Sequence, residues 1–314
     1  MKLKFKTISP VILSPRMEKA LYKNVDFKGI SEDDMVNLET EKKEKINIIY
    51  PFYSYEDRNL LCERAFSYAK EYYIPASSLK GALLGNKKEG EEDIIRSCIL
   101  FKDARIDNSH IRLRNLYKFQ YLYQETKEKA DNKKQESVYK TPKFTPFFAG
   151  IAIEMLERNT NFENEILFKS PEISKKFFIR RLNESFDVTK KKLRNYVTET
   201  EYRIEEIESW IKNGKIKKQK NGSEDYIDKL REVKSNLEER LKSDENMIFL
   251  GGYKGILAGL SQLDETHKIQ NGFYIDEDTL LPYGLVTVVL NKNEIDFLYQ
   301  IYGENIVHET CITC

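Results

Sequence analysis

The chain has 314 residues, room for two domains or one elaborated domain with a substantial core. Its 52 basic and 51 acidic residues leave a formal net charge of +1, which excludes a global basic field, so any nucleic-acid contact must come from local patches. No apolar run approaches the roughly 18 residues of a membrane span, no signal-peptide pattern opens the chain, and its four cysteines do not form a disulfide framework, so a soluble cytoplasmic protein is expected.

"KLKFKTIS" alternates basic and apolar residues with period two, predicting an opening strand that buries Leu3, Phe5 and Ile8 and exposes Lys2, Lys4 and Lys6. Residues 31–45 are acidic and polar, a loop or short helix, before "INIIYPFYSY" resumes strand character. "YYIPASSLKGALLGN" follows. Pro75 disfavours helix at Ile74, Ser77 is placed to cap a helix starting near Ser78, Leu79, Ala82 and Leu83 share a face, and Gly85 ends it. "CILFKDARI" and "HIRLRNLYKFQYLYQ" read as strands, the second opposing Ile111 and Leu113 to Arg112 and Arg114. From Glu125 to Lys143 the composition falls to Lys, Glu, Gln and Asp without period, which predicts a solvated loop and an internal boundary near residue 142.

Beyond it, "TPFFAGIAIEMLERNTNFENEILF" predicts two strands around an "RNTN" turn, with Gly150 at a bulge. Leu193, Val197, Ile204, Ile207 and Ile211 then step by threes and fours once Thr200 is admitted, as do Leu230, Val233, Leu237 and Leu241. These stripes predict an antiparallel helical hairpin over 187–243, its tip carrying Lys212, Lys215, Lys217, Lys218 and Lys220. "MIFLGGYKGILAGL" is expected to join a strand to a helix through glycines, and "LPYGLVTVVL" is a β-forming C-terminal strand. Strands and helices interleave without regular βαβ units, so the fold class is α+β.

Catalytic and cofactor motifs are sparse. The glycines at 251, 252, 255 and 259 lack the Gly-Lys-Ser/Thr ending of a P-loop and the G-x-G-x-x-G spacing of a dinucleotide fold, so no nucleotide cofactor is expected. The terminal "CITC" has no second ligand pair beyond nearby His308, and no metal is expected. His110, His267 and His308 lie in three unrelated contexts, bound by no local motif to a nucleophile. What the sequence does offer is a short hydroxyl-rich helix start with Lys80 in its first turn, suited to an anion, and a glycine turn whose backbone approaches closely beside Lys254 and the stacking face of Tyr253.

"IPASSLKGALL" resembles the Ile-Pro-Gly-Ser-Ser-Leu-Lys-Gly-Ala-Leu-Arg signature of RAMP proteins, the RNA-binding subunits of type III CRISPR effector complexes. "LFKDARI" resembles that family's Val-Ser-Asp segment, "PFFAGIAIEMLERNTNF" its Pro-hydrophobic to Glu-x5-Thr-x-Phe stretch, and "FLGGYKGILAGL" its late glycine turn, in the family's order and spanning about Lys2 to Leu290. Ala76 stands where the signature has Gly, Leu84 where Arg is common, and "SPVILSPRM" where a His-Ile-Gly-Ser-Gly turn usually follows the first strand. The resemblance implies a ferredoxin-like, RRM-related fold, with an RRM-like part over 1–142 and a C-terminal α+β part over 143–314 into which the hairpin is inserted. It also implies a non-catalytic subunit of a type III-A (Csm) antiviral complex that caps the 3′ region of the crRNA and aids its maturation, with crRNA, other effector subunits and a host trimming nuclease as partners. In that role Ser77, Ser78, Lys80 and Gly81 would face crRNA phosphates, Gly251, Gly252, Tyr253 and Lys254 would form the opposing lip, and Arg105, Arg112 and Arg114 would extend the track. Two alternatives remain. One is a metal-independent RAMP endoribonuclease using His110 or His267 as base; the other is a protein–protein adaptor without RNA.

Overall fold

In the opening strand Lys2–Thr7, exposed lysines alternate with buried Leu3, Phe5 and Thr7. That alternation suits a strand with one covered face, and it lies at the centre of a five-stranded antiparallel sheet. The computed structural model describes residues 1–30, 45–56, 66–85, 90–128, 135–148, 150–218, 222–259 and 272–289. The sheet order is Met247–Phe249, Leu285–Val289, Lys2–Thr7, Asn161–Phe168 and Ile99–Phe101. Phe5 pairs with Phe162 on one side and Val288 on the other, and the two phenyl rings stack at 4.9 Å. Helix α1 (Ala76–Leu84) and the first half of α3 (Pro171–Lys212) cover this face, contributing Leu79, Leu83, Phe178 and Leu182 to a shared core. The chain is thus a mixed α+β fold built on antiparallel sheets.

A second sheet runs Leu21–Tyr22, Ile48–Tyr50, Ile151–Leu156 and Ile111–Arg114, with Ile48–Tyr50 and Ile151–Leu156 parallel. A third, Phe144–Pro146, Tyr117–Phe119 and Phe273–Tyr274, packs beneath the far half of α3 and α4 (Ser223–Lys242) around Phe119, Leu193, Leu230 and Phe273. Strands from both sides of residue 142 share all three sheets. Arg203 of α3 is completely buried here. It donates to Glu199, the Gln120 carbonyl and the Tyr226 hydroxyl, and its guanidinium lies 4.8 Å from the Phe273 ring centroid. This placement satisfies a charge that would otherwise be very unfavourable in a core.

Several sequence expectations are corrected. The helix expected from Asp187 begins at Pro171, because Phe177, Phe178, Ile179, Leu182 and Phe186 extend the buried stripe toward the N-terminus. The stretch expected as a loop from Glu125 to Lys143 contains an antiparallel pair, Tyr123–Glu128 with Gln135–Lys140. Helix α1 starts at Ala76, with Pro75 in the cap position and no side-chain cap, so Ser77 lies inside the helix. The Asp103 carboxylate accepts from the Ala76 amide at 2.7 Å in its place. The glycine stretch after Met247–Phe249 runs through turns over 255–259, and the rest of the expected helix lies outside the described residues. Lys220, His267, His308, the "CITC" end and the 31–44 part of the acidic segment lie outside the described residues. Among the described residues, no helix is long and apolar enough to cross a membrane.

Candidate anion-binding cleft

Between α1 and α3 lies a cleft of about 540 Å³. Ser77, Ser78 and Gly81 of α1 line one wall, Arg181, Ser185, Thr189 and Lys192 of α3 another, and Phe249, Gly251 and Lys254 a third. Two glycine-bearing motifs far apart in the sequence therefore meet at one cavity. What brings the third wall in is the backbone of the Gly251–Gly252 turn. Gly251 has φ +91°, and a Cβ there would sit 2.4 Å from the Ile12 carbonyl oxygen. The Gly252 amide donates to that same carbonyl at 2.7 Å. Only glycine lets the turn pack this closely on the Ile12 backbone.

Beside the Arg181–Glu184 ion pair, which also lines the cleft, its charged groups are two lysines. Burial, and then the neighbouring Lys192, push the Lys254 ammonium down from 10.5 to about 8. Lys192 is half-buried, and that burial lowers its pKa too. Lys254 makes a long contact of 3.4 Å to the Phe249 carbonyl, and its own carbonyl accepts from the Tyr196 hydroxyl. Two desolvated cations held close together gain most from an anion between them, which relieves both the burial and the mutual repulsion. The α3 hydroxyls are committed as donors within their helix, Ser185 to the Leu182 carbonyl and Thr189 to that of Ser185. At the C-terminal end of α1, Arg181 donates to the Leu84 carbonyl and to Glu184, while Arg96 donates to the Leu84 and Gly85 carbonyls. Those arginines satisfy the orphan acceptors of the helix end.

The other anticipated residues are distributed differently. Lys80 turns away from the cleft and donates to the Arg96 and Ile99 carbonyls at 2.8 and 2.7 Å, tying α1 to α2 (Glu91–Ser97) and the strand behind it. Because Asp103 already sits on the first amide of α1, the cleft draws its positive character from lysines and not from the helix end. Arg114 is buried in ion pairs with Asp276 at 3.0 Å, Asp278 at 2.6 Å and Glu157 at 3.4 Å. Arg112 is half-exposed and donates to the Ile111 carbonyl, and Arg105 is exposed on Ala104–Asp107, across from Tyr73. Tyr253, at φ 54°, packs edge-on to Tyr274. His110 is exposed on a 3₁₀ turn, Asn108–His110, and is not among the residues lining the cleft. Lys192 was missed by sequence reasoning. Its signal is the run "TKKKL", in which helical spacing puts Lys192 on the same face as buried Thr189, three residues earlier.

No family model matches the chain, and no curated protein matches it. The chain is similar to a solved structure titled "Crystal structure of T.onnurineus Csm5". The two are 12% identical with a TM-score of 0.41, over 90% of this chain and 99% of that one.

Proposed function

We propose that the chain is a non-catalytic crRNA-binding subunit of a type III-A CRISPR effector complex, capping the 3′ region of the guide and aiding its maturation. The observation that carries this reading is the cleft itself. The two motifs that resemble RAMP signatures, "IPASSLKGALL" and "FLGGYKG", line one cavity together, Lys254 coming from the second of them and Lys192 from the α3 wall. The strand order supports it. Counting Lys2–Thr7, Ile99–Phe101, Asn161–Phe168 and Leu285–Val289 as first to fourth, the sheet reads fourth, first, third, second, with α1 and α2 in the first crossover and α3 and α4 in the last. We take this as a ferredoxin-like core with α3 and α4 as an elaboration of its second crossover.

A subunit that must accept any guide sequence gains affinity from phosphates and sugar rather than base edges. Lys254 and Lys192 supply the charge for one or two phosphates, and the Gly251–Gly252 turn, packed on the Ile12 backbone, holds Lys254 at the cleft. Other effector subunits and a trimming nuclease complete the partner set. Double substitution Lys192→Ala/Lys254→Ala is expected to weaken binding to all RNA sequences alike and to flatten the dependence of log K on log salt by roughly one to two units. Undiminished guide retention in the assembled complex would overturn the site.

A further inference from the structure

A second pocket, of about 170 Å³, has the opposite chemistry. Residues 53–55 run alongside Glu71–Ile74, with the Tyr73 amide donating to the Tyr53 carbonyl at 3.0 Å and Ser54 bridging to Tyr72. The pleat sends Tyr72 and Ile74 into the core and leaves Tyr53, Tyr55 and Tyr73 together on the outside. Tyr55 stacks on Tyr73 at 4.2 Å and 20°, fixing that ring, and Tyr53 meets it at 5.8 Å. Tyr53, Tyr73, Pro15 and Pro51 form flat apolar walls, and Glu18 and Glu56 complete the lining together with one described cation, Lys19. The Asp103 carboxylate adds negative potential at the rings: after burial, it is the next cause that raises the phenol pKa of both Tyr55 and Tyr73, and at Tyr55 it outweighs the opposing Arg105 guanidinium.

Electron-rich ring faces beside carboxylates repel a phosphate chain and attract a cation. The RNA reading therefore leaves this pocket without a role, and its size suits one long side chain rather than a helix or a nucleotide. We propose that it receives an arginine side chain presented by a protein partner. Arginine fits better than lysine because a planar guanidinium can lie flat against tyrosine and proline faces while pairing with a carboxylate at its edge. The inference stands on the tyrosine geometry and the charge of the lining, independently of the lysine cleft.

The test uses the full chain labelled with 3-fluorotyrosine, its resonances assigned through single Tyr→Phe variants and followed by ¹⁹F NMR. N-ethylguanidinium, the arginine side-chain analogue, is expected to shift the Tyr53 and Tyr73 signals saturably, whereas uridine monophosphate leaves them in place. Glu18→Gln/Glu56→Gln, at two exposed positions, is expected to weaken the guanidinium response at least fivefold, and Lys19→Met to strengthen it. A response to uridine monophosphate in place of guanidinium would assign the pocket to nucleic acid and overturn the proposal. So would a guanidinium response indifferent to the two glutamates.

Discussion

Lys254→Met separates stability from binding at the cleft. In the folded protein this ammonium is pushed from 10.5 to about 8, chiefly by burial. The folded state therefore binds fewer protons than the unfolded chain between those values, and stability rises with pH across that window. Below it, keeping the charge costs the fold about 3 kcal/mol by the usual conversion of a pKa displacement. The methionine replaces the stem, removes the charge and gives up the contact to the Phe249 carbonyl, which at 3.4 Å is a weak bond contributing at most about 1 kcal/mol. The variant should therefore be more stable than the parent by roughly 2 kcal/mol at pH 7, with the advantage gone by about pH 10.5. Guide RNA binding should fall over the same substitution. Urea unfolding at pH 7 and pH 10.5, paired with RNA titrations at fixed salt, reads both quantities. A variant that is destabilised equally at both pH values, or that binds RNA as the parent does, would refute the reasoning.

Lys80→Ala is expected to cost about 1–3 kcal/mol of stability through two lost hydrogen bonds to carbonyls, while the folded variant retains most of its RNA affinity, as paired melts and binding curves would record. Arg114→Leu leaves Asp276, Asp278 and Glu157 facing one another and should destabilise by about 3–5 kcal/mol near pH 8. Burial already raises the Glu157 carboxyl and lifts Glu277 to about 7, so protonation should shrink that loss as pH falls toward 5, which denaturation across this range checks. Gly284→Ala forces a side chain onto φ +83° with its Cβ 2.1 Å from the Leu250 carbonyl oxygen, and should cost about 3 kcal/mol or more in chemical denaturation.

The elements legible in the sequence are those whose period matches one covered face. Lys2–Thr7 alternates cleanly because its lysines meet solvent, and α4 shows Leu230, Val233 and Leu237 because its other side is charged. Arg114 escaped for the opposite reason. Period two places it with Arg112 on an outward face, but the Asp276–Asp278 segment covers that face at Arg114, a long-range contact that no local pattern encodes. The pair Tyr123–Glu128 and Gln135–Lys140 forms through backbone pairing and leaves no alternating apolar signal in "QETKEKADNKKQES". At the cleft, glycines and Lys254 were readable because a close backbone approach demands glycine. Lys80 was readable only as a charge near a helix start; its direction depends on where α2 and the Ile99–Phe101 strand sit.

The most direct test of the central claim is to purify the tagged protein from its source organism, sequence the bound RNA and identify the accompanying chains. The account predicts short RNAs with a constant 5′ repeat-derived tag and ragged 3′ ends beside other CRISPR effector subunits, with the RNA depleted by Lys192→Ala/Lys254→Ala. Partner proteins recovered without such RNA, or RNA untouched by that double substitution, would contradict it.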